Sequence, residues 1–285
     1  MAYLTLFDTN ATIDISSKIM EKCVKKKRLY ANSISFWEIM SHLAEDFIEI
    51  KQRLMKFKYL SIIEDSFASL QDSMGIVSEE LSKRGSDKYI VAKLLENLHK
   101  SENIEQFYSS NILDDNGNSR IVRNVADRLN KYLTIEENRY KGFIKIVIAD
   151  LKADPNIADN ADNFFNYVQV FQKTLIDKLL IMGARKCAIH ERAVNRSLLY
   201  NAFVIERALE YYHKGSNEVP GNDYEDSVIT LGISLDKEWL FVTKDRAFRI
   251  SFNKVIEMIQ TKYGRGFGIK AVSTDEFKIA NSLPT

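Results

Sequence analysis

The chain has 285 residues, with 40 Lys and Arg against 39 Asp and Glu and a formal net charge of +1. Its length fits one large domain or two ordinary ones, and its 45% hydrophobic fraction excludes global disorder. The even charge excludes a bulk polyanion coat, while leaving room for a local basic patch.

Residues 3–7 (YLTLF) form a short apolar run that stops at Asp8-Thr9-Asn10, the pattern of a buried strand entering a polar loop. Residues 14–28 follow as an amphipathic helix carrying Ile15, Ile19, Met20 and Cys23, and closing in Lys25-Lys26-Lys27-Arg28. Residues 29–34 predict a second strand, and a helix beginning near Ser35 carries Phe36, Ile39, Met40 and Leu43. This strand–helix alternation marks an α/β domain with a parallel sheet. From about 51 to 210 there is almost no strand signal, and the stretches 61–74, 86–100, 119–152, 160–182 and 187–213 are periodic as helices. The aromatics Phe164, Phe165, Tyr167 and Phe171 fall at helical spacing and predict core. The α/β pattern resumes with a helix over 223–235, a strand over 238–243, a helix over 246–263 and a strand over 268–273. The expected organisation is therefore one sheet domain built from residues 1–50 and 215–285, interrupted by an all-helical insertion over 51–214. Cys23 and Cys187 give no disulfide framework or zinc spacing, and no apolar run approaches a membrane span of about 20 residues. The opening segment lacks the basic flank of a signal peptide, so a cytoplasmic protein without membrane contact is expected.

Four carboxylates occupy suggestive positions. Asp8 and Asp245 each follow a predicted strand, where open parallel sheets bind ligands and where oxygen donors suit a hard cation. Each also precedes a helix, so N-capping is the competing reading. Glu38 lies in Ser35-Phe36-Trp37-Glu38, an S-x-x-E pattern that also fits a capping box. Asp226 closes the acidic run Asp223-Tyr224-Glu225-Asp226, which also suits a helix N-terminus.

The segments FDTNA (7–11), SISFWEIMSHL (33–43), DSVITLGISL (226–235) and FVTKDRAF (241–248) resemble, in order, the four acidic motifs of PIN-domain ribonucleases. The segment IKAVSTDEF (269–277) resembles the final strand and cap of such domains. The resemblance covers roughly 1–50 and 215–280, and departs from compact members in the long insertion between Glu38 and Asp226. It implies a PIN-like three-layer core in which the first strand neighbours the strand before Asp245. It further implies a Mg²⁺- or Mn²⁺-dependent ribonuclease, with Asp8, Asp226 and Asp245 as ligands and Glu38 as a ligand directly or through water. Asp223 is the fallback third acid. Thr9, Asn10 and Thr243 would orient the ligands. RNA would be held by Lys244, Arg246 and Arg249, with Lys27 and Arg28 in the densest basic run.

Two other readings stand beside this one. Asp8-Thr9-Asn10-Ala11-Thr12 also resembles the nucleophile loop of haloacid-dehalogenase-type phosphatases, with Asn10 where the second aspartate belongs. Alternatively, a PIN-like fold would serve as a non-catalytic scaffold binding RNA or a protein partner through its helical insertion. The sequence leaves oligomerisation open.

Overall fold

The structure is a computed structural model that describes residues 3–25, 28–63, 87–114, 117–158, 160–181, 194–216, 219–220, 223–266 and 268–281. Lys27, His190, Cys187 and much of the periodic stretch 61–74 lie outside the described residues.

Five parallel strands form one sheet: β1 (Leu4–Phe7), β2 (Leu29–Asn32), β3 (Ser61–Ile63), β6 (Trp239–Val242) and β7 (Ile269–Val272), in the order β3-β2-β1-β6-β7. β1 pairs with β2 through Thr5↔Leu29 to Phe7↔Ala31, and with β6 through Leu4↔Trp239 to Phe7↔Val242. Strand order therefore reverses at the β1/β6 boundary. A small antiparallel hairpin, β4 (Asn111–Leu113) with β5 (Ser119–Ile121), stands apart.

The strands read as continuous apolar runs because both faces are covered, as parallel sheets require. Side chains alternate between the faces. Leu6, Trp239, Phe241, Ile269 and Ala271 enter one core; Phe7, Leu29, Ala31, Leu240 and Val242 enter the other. The second core is roofed by α1 (Thr9–Asp14), α2 (Ser17–Val24), α3 (Ser33–Ser41), α4 (Phe47–Leu54), α5 (Asp87–Lys100) and α6 (Ile104–Ser109). The first core is built by α7 (Val122–Ala153), α8 (Ala161–Ile181), α9 (Val194–Lys214), α10 (Asp223–Thr230) and α11 (Arg246–Tyr263), and α12 (Thr274–Ala280) follows β7. Phe164 and Phe165 are buried in that first core, with Tyr167 and Phe171 packed against it, as their spacing predicts.

Three expectations are corrected. The 51–214 stretch is not all helical: β3 extends the main sheet by pairing Tyr30↔Ser61 to Asn32↔Ile63, and β4/β5 form the hairpin. A three-residue edge strand is too short to show a period-two pattern. The expected 14–28 helix is the shorter α2, which Ser16 starts by capping Ile19 N–H, and it is preceded by the separate helix α1, capped by Asp8 through Ala11 N–H. Finally, α3 starts two residues earlier than expected, capped by Asn32, whose side chain accepts from Ile34 N–H. Glu38 thus sits in the second turn, not in a capping box.

The long helix α7 belongs to both cores. The N-terminal residues Val122, Val125 and Ala126 of α7 are buried in the second core, and Tyr140, Ile144, Val147, Ile148 and Leu151 in the first. Leu133, midway, packs against both. At 1.5 Å per residue this 32-residue helix is about 48 Å long, enough to pass from one side of the sheet to the other. On the way it packs against α3 and α10.

Candidate carboxylate site at the strand switch point

Asp8 and Asp245 lie directly beyond the neighbouring strands β1 and β6, the arrangement that the resemblance implied. Both are helix N-caps: Asp8 Oδ1 accepts from Ala11 N–H at 2.6 Å, and Asp245 Oδ1 from Phe248 N–H at 2.9 Å. Capping and a place at the switch point are therefore compatible, each carboxylate giving one oxygen to its helix. Thr243 joins the two acids. Its Oγ1 accepts the Asp245 N–H at 3.0 Å, and its side chain hydrogen-bonds Asp8. Thr9 Oγ1 donates to Glu38 Oε2 at 2.5 Å and holds that carboxylate toward α1. Thr9 and Thr243 thus each hydrogen-bond one of the acids singled out from sequence. Asn10 is exposed and joins none of these bonds.

The acids also feel one another. Burial pushes the Asp8 carboxyl up to about 7, against hydrogen bonds from Thr243 and Ala11, and the charges of Glu38 and Asp245 add to the rise. Burial raises Asp226 well above the usual carboxylate range, reinforced by Asp8, Asp245, Glu38 and Asp223. Burial raises Glu38 too, opposed by Thr9 and by the nearby His42. Four carboxylates on four different elements therefore share one electrostatic neighbourhood. The fallback acid Asp223 is occupied otherwise: Arg207 pairs with it at 2.9 Å and Tyr211 hydrogen-bonds it.

The donor set is all oxygen, which suits Mg²⁺ or Mn²⁺ in preference to softer metals. Its mutual repulsion is the kind that a bound cation relieves. Among the described residues, no three acidic, histidine or cysteine side chains yet converge closely enough to hold one ion as they stand.

Two of the expected cations, Lys244 and Arg249, are engaged. Lys244 pairs with Asp14 at 2.9 Å, and Arg249 Nη1 donates to the carbonyls of Thr243 and Lys244 at 3.1 and 3.3 Å. Arg249 therefore braces the β6–α11 loop that presents Asp245. Arg246 is exposed in the first turn of α11, and Arg28 is exposed just before β2.

Sequence reasoning missed Glu225, Glu137 and Lys141. Burial pushes Glu225 up to about 7, with Glu38 and Glu137 adding to the rise and Lys141 opposing it. The buried Glu225 Oε2 has no hydrogen-bond partner. Glu225 was visible only as part of an acidic run. Glu137 and Lys141 look in sequence like an ordinary i,i+4 surface pair. Their influence on Glu225 accompanies the packing of α7 on α10, where Tyr140 and Ser227 hydrogen-bond at 2.9 Å.

Among the described residues no helix is long and apolar enough to cross a membrane. The chain matches no family model, no curated protein and no solved structure.

Proposed function

We propose that the chain is a metal-dependent nuclease of the PIN-domain kind, hydrolysing RNA phosphodiester bonds. The observation that carries this reading is the juxtaposition of Asp8 and Asp245 at the β1/β6 switch point, with Glu38 and Asp226 in the same electrostatic neighbourhood. Asp8, Asp226 and Asp245 would hold Mg²⁺ or Mn²⁺, with Glu38 as a further ligand directly or through water. Such an ion activates a water for in-line attack and stabilises the leaving oxygen.

The chain's own residues prepare the site. Burial and mutual repulsion raise the Asp8 carboxyl to about 7 and the Asp226 carboxyl well above the usual carboxylate range, and a cation would displace the protons they hold. Thr243 fixes the spacing of Asp8 and Asp245, Thr9 orients Glu38, and Arg249 holds the loop between β6 and Asp245. Asp8 and Asp245 follow the carboxyl ends of β1 and β6, where open parallel sheets bind their ligands.

The test is cleavage of single-stranded and structured RNA with Mn²⁺ by wild type, Asp8→Asn and Asp245→Asn. Losing an outer partner of a metal ligand costs about 10–100-fold, so removing a ligand should cost at least about 100-fold. Equal cleavage by all three proteins would overturn the assignment. RNA binding without cleavage by wild type would indicate a scaffold, and a fluoride-trapped aspartyl-phosphate mimic on Asp8 would indicate a phosphatase.

A further inference from the structure

We propose that the cavity bordered by α4, the first residue of α2 and the chain just past α5 binds a nucleoside monophosphate, either free or as one unit of an RNA strand. Only the second source rests on the nuclease reading. The cavity measures about 520 Å³, within the roughly 300–1,000 Å³ of small-molecule sites. Phe47, Ile48 and Met55 give it an apolar side, and Lys51 and Lys56 a cationic one. Ile48 is 68% exposed at its edge. Glu102 also borders it, so two cations against one acid leave an excess of one positive charge. That excess suits a monophosphate or a phosphodiester better than a polyphosphate.

The two ammoniums are fixed in place without being neutralised. Lys51 donates to the carbonyls of Ser101 at 2.6 Å and His99 at 3.3 Å. Lys56, in the 3-10 turn Met55–Tyr59, donates to the carbonyl of Ile13. Carbonyls carry no net charge. Among the described residues neither ammonium is paired with a carboxylate, because Asp14, the acid that acts on Lys56, pairs with Lys244 at 2.9 Å and Lys278 at 3.6 Å. An ammonium has three N–H donors, so Lys51 keeps one and Lys56 two for a phosphate. The Lys51 ammonium also lies 5.7 Å from the Phe47 ring centroid, so aromatic surface for a planar base stands beside the cation for its phosphate. Ile13, which Lys56 grips, is in the last turn of α1, whose cap is Asp8 and whose first residue Thr9 holds Glu38. Six residues at 1.5 Å make α1 about 9 Å long, so the cavity is one short helix away from the carboxylates, within reach of a neighbouring unit of a strand engaged there.

The experiment is isothermal titration calorimetry in EDTA, so that no metal links the ligand to the carboxylates. Adenosine 5′-monophosphate and uridine 5′-monophosphate are compared with adenosine and with inorganic phosphate. The monophosphates should bind about 10-fold more tightly than either part alone, because base and phosphate are held by different groups. Ile48→Glu should weaken that binding about 10-fold by placing a negative charge at the cavity edge. An acid in the first turn of α4 suits the helix dipole, so this variant keeps its fold where Lys56→Met, which gives up the bond to Ile13, can lose it. A second measurement separates the two sources: binding of a fluorescent single-stranded RNA with Mn²⁺ in an Asp245→Asn background. About 10-fold weaker RNA binding on adding Ile48→Glu assigns the cavity to the strand; unchanged RNA binding with lost monophosphate binding assigns it to the free nucleotide. Monophosphate binding that is absent, or equal in wild type and Ile48→Glu, together with unchanged RNA binding, overturns the inference and leaves the nuclease reading untouched. Monophosphate binding sensitive to Ile48→Glu in a protein that cleaves no RNA supports the cavity and overturns the nuclease reading.

Discussion

The Asp8 carboxyl holds its proton to about pH 7 in the folded chain, against an ordinary value of 3.8. Between those values the folded state binds more protons than the unfolded state, so stability falls as pH rises through that window. At 1.36 kcal/mol per unit, the cost above pH 7 approaches about 4 kcal/mol, and Glu225 acts in the same direction. Without divalent cations, the melting temperature should drop between pH 5 and pH 8, and Asp8→Asn should flatten the drop. Mn²⁺ should raise the melting temperature at pH 8 far more than at pH 5. Calorimetry across pH, with and without Mn²⁺, checks both; a wild-type profile flat with pH would count against the buried acid. Asp223 is held in an ion pair instead. Removing its charge by Asp223→Asn leaves Arg207 paired with Glu210, at 2.6 Å, and should cost about 1–3 kcal/mol in urea denaturation. Asp226→Asn relieves repulsion and should stabilise the cation-free protein. Equal destabilisation by the two variants would mean that Asp226 is also structural.

At the scale of elements, the β6–α11 junction decides how Asp245 is presented. Arg249 reaches back one turn to the carbonyls of Thr243 and Lys244, so Arg249→Ala should lower kcat in RNA cleavage by about 10-fold with little change in KM. A rise in KM alone would restore Arg249 to the phosphate-binding role expected from sequence. The same region shows why much of the fold was legible. WLFV and IKAV are apolar runs bounded by breaks, and α11 has a capping Asp245 at one end and a left-handed Gly264 at the other, φ 62°. Strong local signals of this kind are readable without tertiary knowledge. The misses have tertiary causes. β3 is a strand because β2 offers it an edge, not because SII announces one. Glu38 was read as a capping position because Ser35 imitates an N-cap, whereas Asn32 at the end of β2 takes that role. In the site, Asp8 and Asp245 were legible because strand ends are visible in sequence. The influence of Glu137 and Lys141 on Glu225 was not, because it depends on the packing of α7 on α10.

At the scale of the molecule, the helices between residues 51 and 214 complete the walls of the sheet. Tyr140, Val147, Phe165, Leu199, Phe203 and Val204 are buried beside Leu6 and Phe241 in the first core. Each such side chain stabilises by about 1.5–3 kcal/mol when fully buried. A chain joining residues 1–50 directly to 215–285 should therefore show no cooperative thermal or urea transition by circular dichroism; a sharp transition would mean that the sheet stands alone. The pairing of β1 with β6 also carries a consequence for biosynthesis. Leu4 leaves the ribosome long before its partner Trp239. At about 5–20 residues per second, the first strand waits about 10–50 s for the second. The carboxylates of Asp8 and Asp245 cannot meet during that interval, so the nascent chain carries Asp8 without its neighbour across the sheet until β6 has been made.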